Sequence, residues 1–221
     1  MSEPDDLEVP IFELGLAIVP GERVSLHIFE RRYRLMIGHC LEEDLPFGIV
    51  FRDDDGARAT GCTAEVTEVT ERYDDGRMDI VVTGADPFGV LDRFEAADWP
   101  AGRVAWIDHA PAGPELAEEL GASRAAFAEL LEAVGANRER AEAAPGAFAI
   151  AAQIEMPAAE KQALLEAGDE RERLVLLESS LRRLLGGLKR SRELGERAKT
   201  NGHAPGRIGP IQRPEPPEPD A

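Results

Sequence analysis

Two cysteines, three lysines and the lack of any long apolar run say more about this chain than what it has in abundance. Cys40 and Cys62 are unclustered, which fits a reducing compartment where small thiols pack quietly in a core, with a disulfide between them the lesser alternative. The opening stretch MSEPDDLEVP is acidic and lacks the apolar segment of a signal peptide. In the helical half the longest uncharged stretch, AAPGAFAIAAQI at 143–154, is too short to span a bilayer and contains Pro145-Gly146. The expectation is a soluble, cytoplasmic protein with no membrane partner.

Motifs that carry chemistry are equally scarce. A phosphate-cradling loop needs Gly-Lys-Ser/Thr at a strand-to-helix turn; the nearest approach, Gly195 to Thr200, lacks its second glycine. His27, His39, His109 and His203 are scattered, and His39-Cys40 beside Cys62 matches no zinc spacing, so neither metal nor cofactor is expected. There is no Gly-x-Ser-x-Gly. A Ser–Lys dyad would have to join Ser25, Ser179 or Ser180 to Lys161, Lys189 or Lys199, which lie in the helical half and the tail. Acid runs such as Glu42-Glu43 and Asp53-Asp54-Asp55 read as solvated turns, and His27 as a packing residue at a strand end. The expectation is a protein that is not an enzyme.

What is present is acid. Net charge is −18, and residues 1–110 hold 24 acidic residues against 10 basic ones, which repels phosphate backbones and argues against a nucleic-acid partner. Apolar residues form 43% of the chain, enough for a real core at this length. Three regions follow: a strand-rich part over 1–110, a helical part over 111–194, and a disordered Pro/Gly-rich tail over 195–221.

In the first region Val24, Leu26 and Ile28 alternate with polar neighbours at strand period, after a Pro20-Gly21 turn. From Glu30 the period changes: Tyr33, Met36, Ile37, Cys40 and Leu41 form a helical stripe. The Glu30 carboxylate is expected at that helix start, with Arg32 pairing an acid from a nearby strand. Phe47, Ile49 and Phe51 return to strand period. The runs flanking Asp75-Gly76 read as a hairpin with a bulge near Thr67–Glu68. PFGVLDRF and GRVAWIDHAP supply two further strands, so six or so short strands suggest a small barrel or curled sheet. Beyond them Leu116, Leu120, Phe127, Leu131 and Val134 repeat at helical spacing. Pro145 and Pro157 sit where helices can start, and Asp169 with Glu172 fits a helix cap. Leu174, Leu177, Leu181, Leu184 and Leu188 form a seam.

Taken in order, Val9-Pro10-Ile11-Phe12, Pro20-Gly21, Leu26 to Glu30, Arg32-Tyr33 and Phe47-Gly48 resemble the start of the Lon-protease N-terminal, or substrate-binding, domain. Residues 61–66, the Asp75-Gly76 hairpin, VTGADPFGVL and the helices after 159 continue the likeness, over about residues 8–190. Two positions depart from that pattern: Arg31 stands where the family usually has Pro, and Glu13 where it often does. The resemblance implies an α+β fold, a PUA-like β pseudo-barrel followed by a C-terminal helical bundle. It implies a non-catalytic module that binds protein or peptide segments in protein quality control, with unfolded clients or a separate protease as partners. It also implies a stand-alone member without the ATPase and peptidase that follow this domain in full-length Lon proteases. The Phe29, Glu30, Arg32 and Tyr33 element is the first place to look for peptide contacts, with Ile28 and Tyr33 themselves pointing into the core. An unrecognised hydrolase and a PUA-like RNA-binding protein are the alternatives.

Overall fold

A computed structural model describes residues 7–96 and 98–201, with side chains as far as Leu194. Six strands come first: β1 Leu7–Leu14, β2 Arg23–Ile28, β3 Phe47–Asp53, β4 Gly56–Arg72, β5 Met78–Ala96 and β6 Trp99–Trp106, with α1 Arg31–Glu43 between β2 and β3. Five helices follow a 3-10 turn at Pro114–Leu116: α2 Ala117–Val134, α3 Glu139–Ala143, α4 Ala147–Ala151, α5 Ala158–Glu166 and α6 Glu170–Asn201. The chain divides into two compact units, one through Leu185 and one from Gly186. Of the tail expected over 195–221, residues 195–201 continue the α6 backbone as helix; residues 202–221 lie outside the described residues.

The sheet order is β2-β5-β4-β3-β1-β6, and β6 pairs with β5 as well. β1 and β3 run parallel, a pairing that needs a crossover, which the β2–α1 segment supplies. The other pairings are antiparallel. β5 can serve three neighbours because it is long: its first half pairs with β2 and β4, and its second half with β4 and β6. PFGVLDRF is therefore not a separate strand. Pro87, which cannot donate to a ladder, falls beside a register shift between Cys62 and Ala64, where proline is tolerated. The Thr63 side chain takes over the missing pairing there. Its hydroxyl accepts from the Asp86 N–H at 2.9 Å and donates to the Asp86 carbonyl at 3.2 Å. A second shift, between Val66 and Glu68, is the bulge that the phase change at Val69 requires. Gly48 and Gly61 are bare for a reason: a Cβ on either would come within 3 Å of the fully buried Phe88 ring.

Helix burial departs from simple periodicity in two places. Val134 is exposed, because it ends α2 just before the left-handed Gly135, and Leu130 takes the buried position. In α6 Leu174, Leu177 and Leu181 are fully buried, but Leu185 follows them rather than Leu184. At about 100° per residue, Leu185 returns to within about 20° of Leu174 around the helix, whereas Leu184 lies about 80° away. The cap at its start forms as the spacing requires: the Glu172 N–H donates to Asp169 Oδ1 at 2.8 Å.

Charged groups tie strands to helices. Lys161 of α5 donates to Glu22 in the turn before β2, each side chain only about a tenth exposed. Next to it Gln162 Nε2 donates to the Thr60 carbonyl of β4 at 3.1 Å. Arg173, 2% exposed, donates to Glu170 Oε2 at 2.9 Å and to the Asp108 carbonyl at 3.0 Å, while Glu170 Oε1 accepts from the Ala147 N–H at 2.7 Å.

Removing one member of the Glu22–Lys161 pair strands the other in a site closed to water. Lys161→Met is expected to lose about 3–5 kcal/mol in denaturant unfolding, and Glu22→Leu with Lys161→Met to recover most of it. Arg31→Pro should act in the opposite direction. Arg31 is the first helical residue, and Glu30 before it is extended at φ −68°, ψ 138°, as a residue preceding proline must be. A gain of roughly 0.4–1 kcal/mol is expected in the same measurement.

Candidate functional site

The β2–α1 corner opens onto a groove of about 800 Å³. One wall is the second half of β1; the other is the end of β2 with the first turn of α1; β3 and the β5–β6 ends close the rim. The floor is aromatic. Phe12 and Tyr33, both buried, face each other with centroids 4.0 Å apart, and Phe12 also meets Phe47 at 6.4 Å. Desolvation raises the Tyr33 phenol above its ordinary pKa, with Arg32 opposing it, so the ring stays neutral at physiological pH.

Charges of both signs form the rim. Glu13, half-buried near the end of β1, offers one carboxylate oxygen to each of two arginines. Oε2 accepts from Arg52 Nε at 2.8 Å and lies 2.7 Å from its Nη2; Oε1 lies 3.5 Å from Arg93 Nε. Arg32 stands over the Tyr33 ring at 4.7 Å. Phe29 projects outward, 59% exposed, and stacks on His27 at 5.9 Å. His27 Nδ1 in turn shares a hydrogen bond with Asp79 Oδ1, whose second oxygen accepts from the Tyr73 hydroxyl at 2.8 Å. These two bonds, His27 first, hold the Asp79 carboxyl below its usual range.

Phe29, Glu30, Arg32 and Tyr33 all line this groove. The strand ends one residue before Phe29, and the helix begins one residue after Glu30. Ile28 and Tyr33 are core residues, as the periodicity requires. Two local expectations are corrected. Glu30 occupies the N-cap position, but its side chain makes no capping bond. Its carboxylate instead pairs with Arg32 Nε at 3.3 Å, so Arg32 meets the acid two residues away rather than one from another strand. His27 is exposed at the strand end and bonds the Asp79 side chain of the facing strand.

The serines, lysines and cysteines weighed for chemistry lie elsewhere. Ser25 is exposed on β2, Lys161 is held by Glu22, and Ser180 accepts from Arg183 at 3.0 Å. Cys40 and Cys62 are buried free thiols; burial pushes Cys40 up to about 11 and Cys62 higher still. Glu13, Arg52 and Arg93 were not singled out by the sequence. The available signal was Glu13 itself, an acid within an apolar strand at a position where the resembled family often has Pro.

Known proteins share this architecture. The family described as the ATP-dependent protease La (LON) substrate-binding domain matches residues 8–183. A crystal structure titled Lon N-terminal domain protein, from Xanthomonas campestris, is similar at a TM-score of 0.58 and 19% identity. The likeness covers 78% of this chain and 98% of that one. The N-terminal domain of Mycobacterium avium complex Lon protease is similar at a TM-score of 0.68 and 20% identity, covering 79% and 98%.

Stability should separate frame from rim. Tyr33→Ala removes a buried ring from the floor and is expected to cost about 2–5 kcal/mol. Glu30→Ala loses only an exposed ion pair, and Phe29→Ala an exposed ring, so each should stay within about 0.5 kcal/mol of the parent. Urea melts of the three variants measure this ordering.

Proposed function

The chain belongs to the LON substrate-binding domain family, and on that premise we propose that it is a non-catalytic module holding segments of protein substrates in the groove at the β2–α1 corner. The observation that carries this reading is the groove's make-up: an apolar Phe12–Tyr33 floor beneath a rim of exposed Phe29 and half-exposed arginines. Apolar floors with a few placed polar groups suit ligand binding, and aromatic and arginine side chains dominate binding energy at protein contacts. Phe29, Glu30, Arg32 and Tyr33 are the proposed contacts. On this reading the partners are unfolded clients or a separate protease in a cytoplasmic quality-control role. We read the strands of 1–110, whose pairings return on themselves through β5 and β6, as a PUA-like pseudo-barrel, and the helices of 111–194 as a helical bundle. Among the described residues no helix is long and apolar enough to cross a membrane.

Fluorescence anisotropy with labelled peptides tiled across an unfolded model protein tests the reading. Binding by apolar-rich peptides is expected, weakened at least about fivefold by Phe29→Ala or Arg32→Ala. Peptide binding that both variants leave intact would place recognition elsewhere. Cleavage of the peptides, or preferential capture of RNA at 150 mM salt, would overturn it.

A further inference from the structure

The groove carries a charge pattern that narrows what it accepts. Arg52 on β3 and Arg93 on β5 converge on the single carboxylate of Glu13, so two positive charges share one negative charge. The acid lies deeper: its side chain is 20% exposed, against 55% for Arg52 and 40% for Arg93. The guanidiniums therefore present themselves at the rim, two of them meeting one carboxylate, while Glu30 and Glu95 line other parts of the groove and balance its charge as a whole. Guanidiniums already posed around one carboxylate need little reorganisation to bind a second.

We propose that the groove selects extended peptide segments that carry an acidic side chain near an apolar one, the apolar group seated on Phe12 and Tyr33 and the carboxylate on Arg52 and Arg93. This rests on the groove being the peptide site. Glu13 then acts as a built-in competitor, holding the arginines in place while weakening their hold on an incoming carboxylate. Side chains two apart on an extended segment share a face, which sets the spacing of the two anchors.

Three acetylated and amidated peptides of the form Ala-Ala-Phe-Ala-X-Ala-Ala, with X as Glu, Gln or Lys, test the proposal by NMR titration. Capping removes the terminal charges, so only the side chain differs. The unaltered protein is expected to bind the Glu peptide roughly threefold tighter than the Gln peptide, with Lys weakest. Raising the salt to 1 M should erase the difference. Glu13→Gln should widen the Glu-to-Gln ratio to about tenfold, and Arg52→Gln should remove it. The comparison on the unaltered protein needs no variant to fold; melting temperatures check the two that are made. If the peptides bind with equal affinity, or Lys is preferred, the acidic-segment proposal fails and the peptide groove stands. If none binds, both fail together.

Discussion

The carboxylate of Glu22 and the ammonium of Lys161 meet out of water, and the placing of the strands against the helices depends on them. They stand 139 residues apart in sequence, one in the turn that launches β2 and the other on α5. Burying two charges is costly, and their attraction offsets this only where geometry is good and the spare lone pairs are used. Here they are used: Glu22 Oε2 accepts from the Val19 N–H at 3.2 Å, which fixes the turn that the same carboxylate anchors. Any slip of α5 over the sheet would break the pair and the neighbouring Gln162–Thr60 bond together. Arg173 repeats the device at the end of β6, binding Glu170 and the Asp108 carbonyl while its cation lies 5.0 Å from the Phe148 ring. Apolar packing supplies most of the driving force; these directional contacts choose one arrangement among those that bury similar area.

The same turn sets the groove. Glu22 fixes where β2 begins, the β2–β5 register fixes where it ends, and Ile28 delivers the chain to the corner at Phe29 and Glu30. Helix α1 is then held by Tyr33, Met36, Ile37 and Cys40 on its inner face. Arg34, reaching from its first turn, donates to the Asp75 carbonyl of the hairpin loop, so the corner is braced against the β4–β5 connection. Tyr33 belongs to both structures at once, its ring in the core and against the groove floor.

Local periodicity made much of this legible. Leu26 and Ile28 announce their buried face because period two has only one way to satisfy a half-buried strand. Asp75-Gly76 announces the hairpin because Gly76 adopts φ 83° there, a conformation that glycine reaches without strain. The bulge at Thr67 could be read from Val69 falling out of phase. What stayed hidden was anything decided by a distant partner. PFGVLDRF reads as its own strand because nothing local reveals that Thr63 will bond the backbone beside Pro87. The Glu30 carboxylate misleads for a different, local reason: Arg32, only two residues on, competes with the cap and claims it. Arg52 and Arg93 are 41 residues apart, and only the closing of β1, β3, β5 and β6 around one rim brings them to Glu13.

On the proposed reading, recognition and stability are carried by different atoms of the same corner. Ladder bonds and the Phe12–Tyr33–Phe47 cluster hold the floor, whereas Phe29, Arg32, Arg52 and Arg93 reach into solvent and contribute little to folding. The acidity of the molecule adds an order of events. At physiological salt charges are screened beyond about 8 Å, so the overall negative charge neither gathers nor strongly expels a neutral or acidic segment at a distance. In the proposed binding mode the rim guanidiniums act only at contact, after an apolar side chain has reached the aromatic floor and displaced water around them, which strengthens each remaining charge interaction. On that proposal the groove grips by burial first and discriminates by charge second.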